Sequence, residues 1–400
     1  MLAIVKILIT LAVIVLLLNR KVKMGYAMLA GAAILFVSAN PDLQKLSTAV
    51  VNTATGYSTW EIIIALFFVM CLEYQLRTSG IIEGFMTSAR SVLKSDRVLL
   101  FVMPSFLGFL PSLGGAIFSA PLVESASKSY RLTAEEKTTI NYWFRHVWEY
   151  TNPIFSGMLL ASQLSGIALG ALIANMAWLT ALSLVMGWFV LIAPISRKAE
   201  AVSAPVSAVN GGNYQYIILA SSPILANILL VVGFHLPASL SMGIVVAVMA
   251  MVIKQKMPQL QAMAIHALDG KLLWGIAGII FFQHVLNESG LVGQVAALLS
   301  AHAIPATVVI GVIAFTGGLL TGTSQGFVAI AFPFIASLAP GDMTLAMIAF
   351  ALGIAGQMLS PAHLCLLVTL DYFKADFLKS LRPVLFMNVV IIAVAYAIAM

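Results

Sequence analysis

Charge is scarce in this sequence. Asp, Glu, Lys and Arg make up 9% of its 400 residues, while 61% are hydrophobic. A soluble domain carries roughly 25% charged residues and cannot bury so much apolar side chain. Cysteine is nearly missing too. Cys71 and Cys365 lie in separate apolar runs without paired spacing, which excludes a disulfide framework and predicts buried free thiols. Alternating polar and apolar runs are absent, excluding a membrane β-barrel. A Gly-rich phosphate loop is absent as well, excluding a built-in ATPase. No metal-ligand spacing or catalytic triad appears, which points away from an enzyme. The net charge of +6 reflects loop lysines and arginines rather than a nucleic-acid surface.

What is abundant is apolar sequence in runs near the length that crosses a bilayer. They fall near 2–18, 24–40, 58–76, 138–165, 167–194, 214–234, 236–253, 271–287, 342–370 and 382–400. The first resembles a signal peptide, but Arg20, Lys21 and Lys23 follow it instead of preceding it, so it reads as a first membrane helix. Two further stretches, 98–127 and 303–341, are broken mid-way, at Pro111–Gly115 and Thr321–Gly326. Each arm of about 15 residues reaches only ~22 Å as helix, short of the ~30 Å core. Re-entrant hairpins are therefore expected, with irregular backbone buried in protein.

Ten spans, two hairpins and outward-facing termini would place 18 of the 21 Lys and Arg residues on the cytoplasmic side, as the positive-inside rule requires. The expected location is the cell membrane.

The two halves align at an offset of 208 to 212. Ser79-Gly80 matches Ser289-Gly290, Pro121 matches Pro333, and Asn152-Pro153 matches Ser360-Pro361. Five spans per half, an odd number, predict that the second repeat is inverted, as in many secondary transporters. The expected fold is thus an all-α polytopic membrane protein of two inverted five-helix repeats. Each repeat would carry a re-entrant hairpin and a broken helix, 1–194 and 214–400, joined by a cytoplasmic linker at 195–213.

The polar breaks are the candidate binding site. They comprise Ser112, Gly114 and Gly115 in the first hairpin, with Thr323, Ser324, Gln325 and Gly326 in the second. The broken spans add Thr151, Asn152 and Pro153, then Ser360, Pro361 and His363. Proline frees a carbonyl, glycine admits close approach, and half-helix termini attract ions. A proline kink relieved by its polar neighbours is the plain structural alternative. Within span four, Arg145 and Glu149 would share a helix face, and with His146 they are candidates for charge or proton handling; a neutralised ion pair is the alternative. The matching positions in the second half are Gly353, Ile354 and Gln357. Glu124, one turn from Lys128, is expected to snorkel inward, and His284 reads as structural.

The stretch from Pro111–Gly115 through Glu124, together with Trp148–Pro153 and Gly356–Cys365, resembles the ion-transporter superfamily. That group includes divalent-anion/sodium symporters and gluconate permeases; the chain most resembles its ten-span family, domain-of-unknown-function 401. The resemblance implies elevator-like movement, often in a homodimer, of small carboxylates or sugar acids coupled to Na+ or H+, without other cofactors. The symporters' Ser-Asn-Thr tip signature is replaced here by Ser112-Leu113-Gly114 and Ser324-Gln325-Gly326. The expected partners are a small organic anion and membrane lipid, with no nucleic acid; any metal would be Na+ at the tips. The alternatives are a cation/proton antiporter and a non-transporting scaffold or subunit.

Overall fold

The computed structural model describes residues 2–39, 41–93, 95–109, 115–196, 214–268, 270–302 and 304–399. The described residues form an all-α membrane protein. The first half runs through α1 (Leu2–Asn19), α2 (Met24–Ala39), α3 (Leu43–Thr55), α4 (Tyr57–Thr78) and α5 (Ile81–Leu93). It continues with α6 (Asp96–Phe109), α7 (Gly115–Ala126), α8 (Ala134–His146), α9 (Ser156–Ser165) and α10 (Leu169–Gly187). The second half follows with α11 (Tyr214–Ile228), α12 (Ala238–Val252), α13 (Met257–Ala267), α14 (Gly270–Glu288) and α15 (Leu291–Ala301). It ends with α16 (Ala306–Thr321), α17 (Ser324–Leu338), α18 (Met343–Met358), α19 (Leu364–Phe373) and α20 (Phe377–Ala399). Both α10 and α11 are prolonged by a π-helical turn, Trp188–Ile192 and Leu229–Gly233.

Among the described residues, five helical segments are long and apolar enough to cross a membrane: Leu2–Asn19, Tyr57–Thr78, Leu169–Ile192, Tyr214–Gly233 and Phe377–Ala399. The other expected spans correspond to α2, α12, α14 and two interrupted pairs, α8–α9 and α18–α19. Both interruptions are wider than a proline kink: residues 147–155 separate α8 from α9, and residues 359–363 separate α18 from α19. The stretches expected as hairpins form the pairs α6–α7 and α16–α17. Of the linker 195–213, only 195 and 196 lie within the described residues.

Element order is the same in both halves. Equivalent helix starts lie between 214 positions apart (Met24 and Ala238) and 208 apart (Leu169 and Phe377). The α4–α5 and α14–α15 turns are built alike, with Gly80 at φ +73° and Gly290 at φ +69°, a region glycine enters without a Cβ penalty. Two helices, α3 and α13, lie where no apolar run was read. The first is amphipathic and starts on Asp42, whose side chain accepts from the Gln44 amide, a standard N-cap.

The interrupted helices are the buried ones. Every residue from Thr138 to His146 on α8 is buried, and so is nearly all of α18. Phe350 of α18 packs edge-on to Phe327 of α17 at 5.3 Å between ring centres. In contrast, α1 and α20 expose many large apolar side chains, as lipid-facing helices would. Short and broken helices thus sit inside, where protein can satisfy their freed backbone groups.

Glycines set how closely these layers approach. A Cβ on Gly318 of α16 would strike the Gly353 carbonyl of α18, and one on Gly356 would strike the Phe315 carbonyl. In the first half, a Cβ on Gly108 of α6 would strike the Arg145 carbonyl of α8. Gly318→Ala and Gly356→Ala should each force α16 from α18 and destabilise by about 1–3 kcal/mol. Gly293→Ala on α15, whose Cβ would meet nothing within 4 Å, should instead stabilise by up to about 1 kcal/mol. Unfolding of the purified protein in detergent measures all three.

Candidate functional site

The two helix breaks are built by the same pair of hydrogen bonds. After α8, Asn152 Nδ2 donates to the Phe109 carbonyl at the end of α6 (2.9 Å), while Asn152 Oδ1 accepts from the Ile154 amide (3.1 Å). After α18, Ser360 Oγ donates to the Leu319 carbonyl near the end of α16 (2.6 Å) and accepts from the Ala362 amide (3.1 Å). A helix end leaves carbonyls without intrahelical partners. At each break, one polar side chain satisfies the ending helix of a hairpin arm and turns its own chain at once. Both side chains are buried, Asn152 at 2% exposure and Ser360 at 0%.

The second hairpin tip meets the first break. Gly322 (φ +64°) ends α16 and Thr323 caps α17, its Oγ1 accepting from the Gly326 amide (3.1 Å). Gln325 Nε2 donates to Ser156 Oγ at the start of α9 (2.6 Å). Ser324 lies so close to Gly157 that a Cβ there would collide with it. The N-termini of α9 and α17 therefore come together, and both present free amide groups and positive dipole ends. Gly326 packs against Thr321. Ser112 and Gly114 of the first hairpin lie outside the described residues; Gly115 is the first residue of α7. Thr151 pairs with Thr180 of α10 at 2.9 Å. Pro153 is buried in the break and Pro361 is exposed.

A second cluster adjoins that tip. His146 and His363 face each other, with 2.9 Å between their Nε2 atoms. His146 Nδ1 contacts the Tyr142 carbonyl (2.6 Å), and His363 Nδ1 contacts the Gly322 carbonyl (2.7 Å). Glu149 accepts from Gln357 Nε2 through both carboxylate oxygens, at 3.1 and 2.9 Å, and its Oε1 lies 3.8 Å from His146 Nε2. Glu149 and Gln357 occupy equivalent positions in the two halves, so this bond joins the halves at their centre. The three ligand atoms of His146, His363 and Cys365 lie within 4.8 Å of one another.

Arg145 does not form an ion pair with Glu149, the structural alternative that their spacing offered. Because α8 ends at His146, position 149 no longer follows helical spacing, and Gln357 takes its carboxylate. The Arg145 guanidinium lies against the Cys365 thiol instead, while its Nε and Nη1 have no hydrogen-bond partner among the described residues. Glu124 pairs with Lys137 of α8 at 2.9 Å. His284 stays away from the centre, lining a polar cavity of about 240 Å³ with Asn52, Gln163 and Gln283.

Cys365 is the member that sequence reading missed. Both cysteines are free, but only Cys71 is buried; Cys365 is partly exposed. Its spacing of two from His363, just after the break, was the available signal. Gln357 had shown only as the repeat mate of Glu149.

The buried bond between the halves should follow an unequal pattern on mutation. Gln357→Leu leaves the Glu149 carboxylate without its donor and should destabilise by about 1–3 kcal/mol. The double variant Glu149→Leu with Gln357→Leu should lose less than Gln357→Leu alone, because no orphaned polar group remains. Unfolding of the three proteins side by side tests this ordering.

No curated protein matches the chain. The family model described as "Protein of unknown function (DUF401)" matches residues 1–400, and the chain, an all-α membrane protein, belongs to that family.

Proposed function

We propose that this protein is a secondary transporter that moves a small organic anion, a carboxylate or sugar acid, coupled to H+ or Na+. The carrying observation is the pair of equivalent anchors, Asn152 to Phe109 and Ser360 to Leu319. They tie a hairpin arm to each helix break. Irregular backbone at this depth suits a substrate site between repeats.

The anion preference rests on two features. The N-termini of α9 and α17 converge at Ser156, Ser324 and Gln325, where amides and dipoles favour negative charge. Arg145 adds a buried guanidinium with two nitrogens unpartnered among the described residues, a natural complement to a carboxylate. The equivalent element order of the halves supports an inverted repeat, with its first unit at 1–194 and its second at 214–400. In this reading the hairpins and broken helices move together, elevator-fashion, against the lipid-facing helices of a homodimer. The termini lie outside, and the site has no catalytic step.

The first test is unfolding temperature against a panel of carboxylates and sugar acids, in sodium and in choline buffer. A substrate at 100 times its Kd should stabilise the protein by about 2.7 kcal/mol. In liposomes, Ser324→Ala and Asn152→Ala should cut uptake of that acid at least tenfold. Uptake intact in both variants would refute the site. A response to sodium or pH with no acid effective would transfer the reading to a cation/proton antiporter.

A further inference from the structure

The facing histidines pose a hydrogen-bonding problem. A backbone carbonyl can only accept. The contacts of His146 Nδ1 with the Tyr142 carbonyl and of His363 Nδ1 with the Gly322 carbonyl therefore place the N–H of each ring on Nδ1. In the neutral rings, both Nε2 atoms are then acceptors. They nevertheless point at each other across 2.9 Å, in a site where the two residues are only 4% and 6% exposed. Two lone pairs at that distance repel unless something positive lies between or beside them.

We propose that His146 Nε2, His363 Nε2 and Cys365 Sγ form a site for a borderline or soft transition-metal cation such as Zn2+. The three atoms already lie within 4.8 Å of one another. Tetrahedral zinc, with bonds of ~2.0 Å to nitrogen and ~2.3 Å to sulfur, requires ligand atoms roughly 3.3–3.6 Å apart, a separation that small side-chain rotations provide. Imidazole and thiolate together select this class of metal over Na+, Mg2+ or Ca2+, which take oxygen ligands.

The surroundings match what such ligands need. Metal-bound histidines donate their other N–H to a carbonyl or carboxylate, which fixes ring and tautomer, and both rings here are held by carbonyls. Glu149 Oε1, 3.8 Å from His146 Nε2, is placed to complete the set directly or through a water. The Arg145 guanidinium against Cys365 balances the charge of a metal-bound thiolate. The ligands come from both halves: His146 ends α8, while His363 and Cys365 begin α19. A bound ion would therefore pin the first broken helix to the second, beside the tip residue Gly322. This inference stands on the cluster's geometry alone and does not depend on what the protein transports.

The test uses tag-free, full-length protein in detergent, stripped with a chelator and titrated with Co2+. Expected is uptake of about one equivalent, with a thiolate-to-cobalt charge-transfer band and the intense visible bands of tetrahedral cobalt, both bleached by Zn2+. Cys365→Ser should abolish the charge-transfer band, and His363→Gln should weaken Co2+ affinity at least tenfold. Cys71→Ser, at the other and distant thiol, should change neither. Each variant is first checked for an unaltered elution profile and unfolding temperature without metal. No metal uptake by the wild type would overturn the proposal, leaving the two rings to share a proton. A band that survives Cys365→Ser would overturn it equally.

Discussion

A helix interrupted inside a membrane leaves backbone carbonyls and amides where water is scarce, and each such group unsatisfied costs several kcal/mol. The rest of this structure depends on how that constraint is met. Asn152 and Ser360 meet it with one buried side chain each, donating to the end of a hairpin arm and accepting from the amide two residues on. Because the donated bond goes to another helix, satisfying the break also fixes the hairpin. The glycine crossings at Gly108 and Gly318 then follow, since the side chain can reach a neighbouring carbonyl only if the backbones nearly touch. Burial of α8 and α18 follows in turn, as broken helices cannot face lipid.

The equivalence of the halves is closer in backbone construction than in chemistry. Both breaks, both hairpin crossings and both α-turn glycines, Gly80 and Gly290, recur. The ionisable groups do not. Arg145, His146 and Glu149 stand opposite Gly353, Ile354 and Gln357, and His363 has no histidine mate. The resulting cluster is lopsided, supplied by the end of α8 and the start of α19. A repeated frame with a single charged centre lets the two halves be tied across their junction, as Glu149 and Gln357 are, without placing like charges opposite each other.

Much of this was legible in the chain. Length and hydropathy give the membrane class, the broken stretches 98–127 and 303–341 give the helix pairs α6–α7 and α16–α17, and Asn152-Pro153 with Ser360-Pro361 give the breaks, because proline and small polar residues leave few other options in an apolar run. What stayed hidden has physical causes. Leu43–Thr55 is amphipathic, and averaging over a window erases a moment that only helical geometry reveals. Arg145 and Glu149 looked like helical neighbours, yet the helix stops at His146 and spacing beyond that point carries no angle. Lys128 lies one turn from Glu124 in the sequence, but α7 ends at Ala126, and the partner of Glu124 is Lys137, which α8 brings across. Cys365 resembled a packing thiol because its partner His146 is remote in sequence, and only the fold joins them.

The histidine pair sets this centre apart from apolar packing. An apolar pair of similar volume would fill the same space without two acceptors confronting each other, and replacing buried polar groups by apolar ones is often neutral or stabilising. The arrangement instead fixes each ring by a carbonyl, one of them Gly322 at the hairpin tip. A change in what His363 Nε2 contacts would therefore be felt at the tip through one imidazole. Gly322 is followed at once by Thr323 and Ser324, where α17 opens and meets α9. A cation held between the histidines and a ligand held at the converging N-termini would act on the same few residues from opposite sides. Were both proposed ligands to bind, that shared stretch of backbone would let binding at one place alter binding at the other.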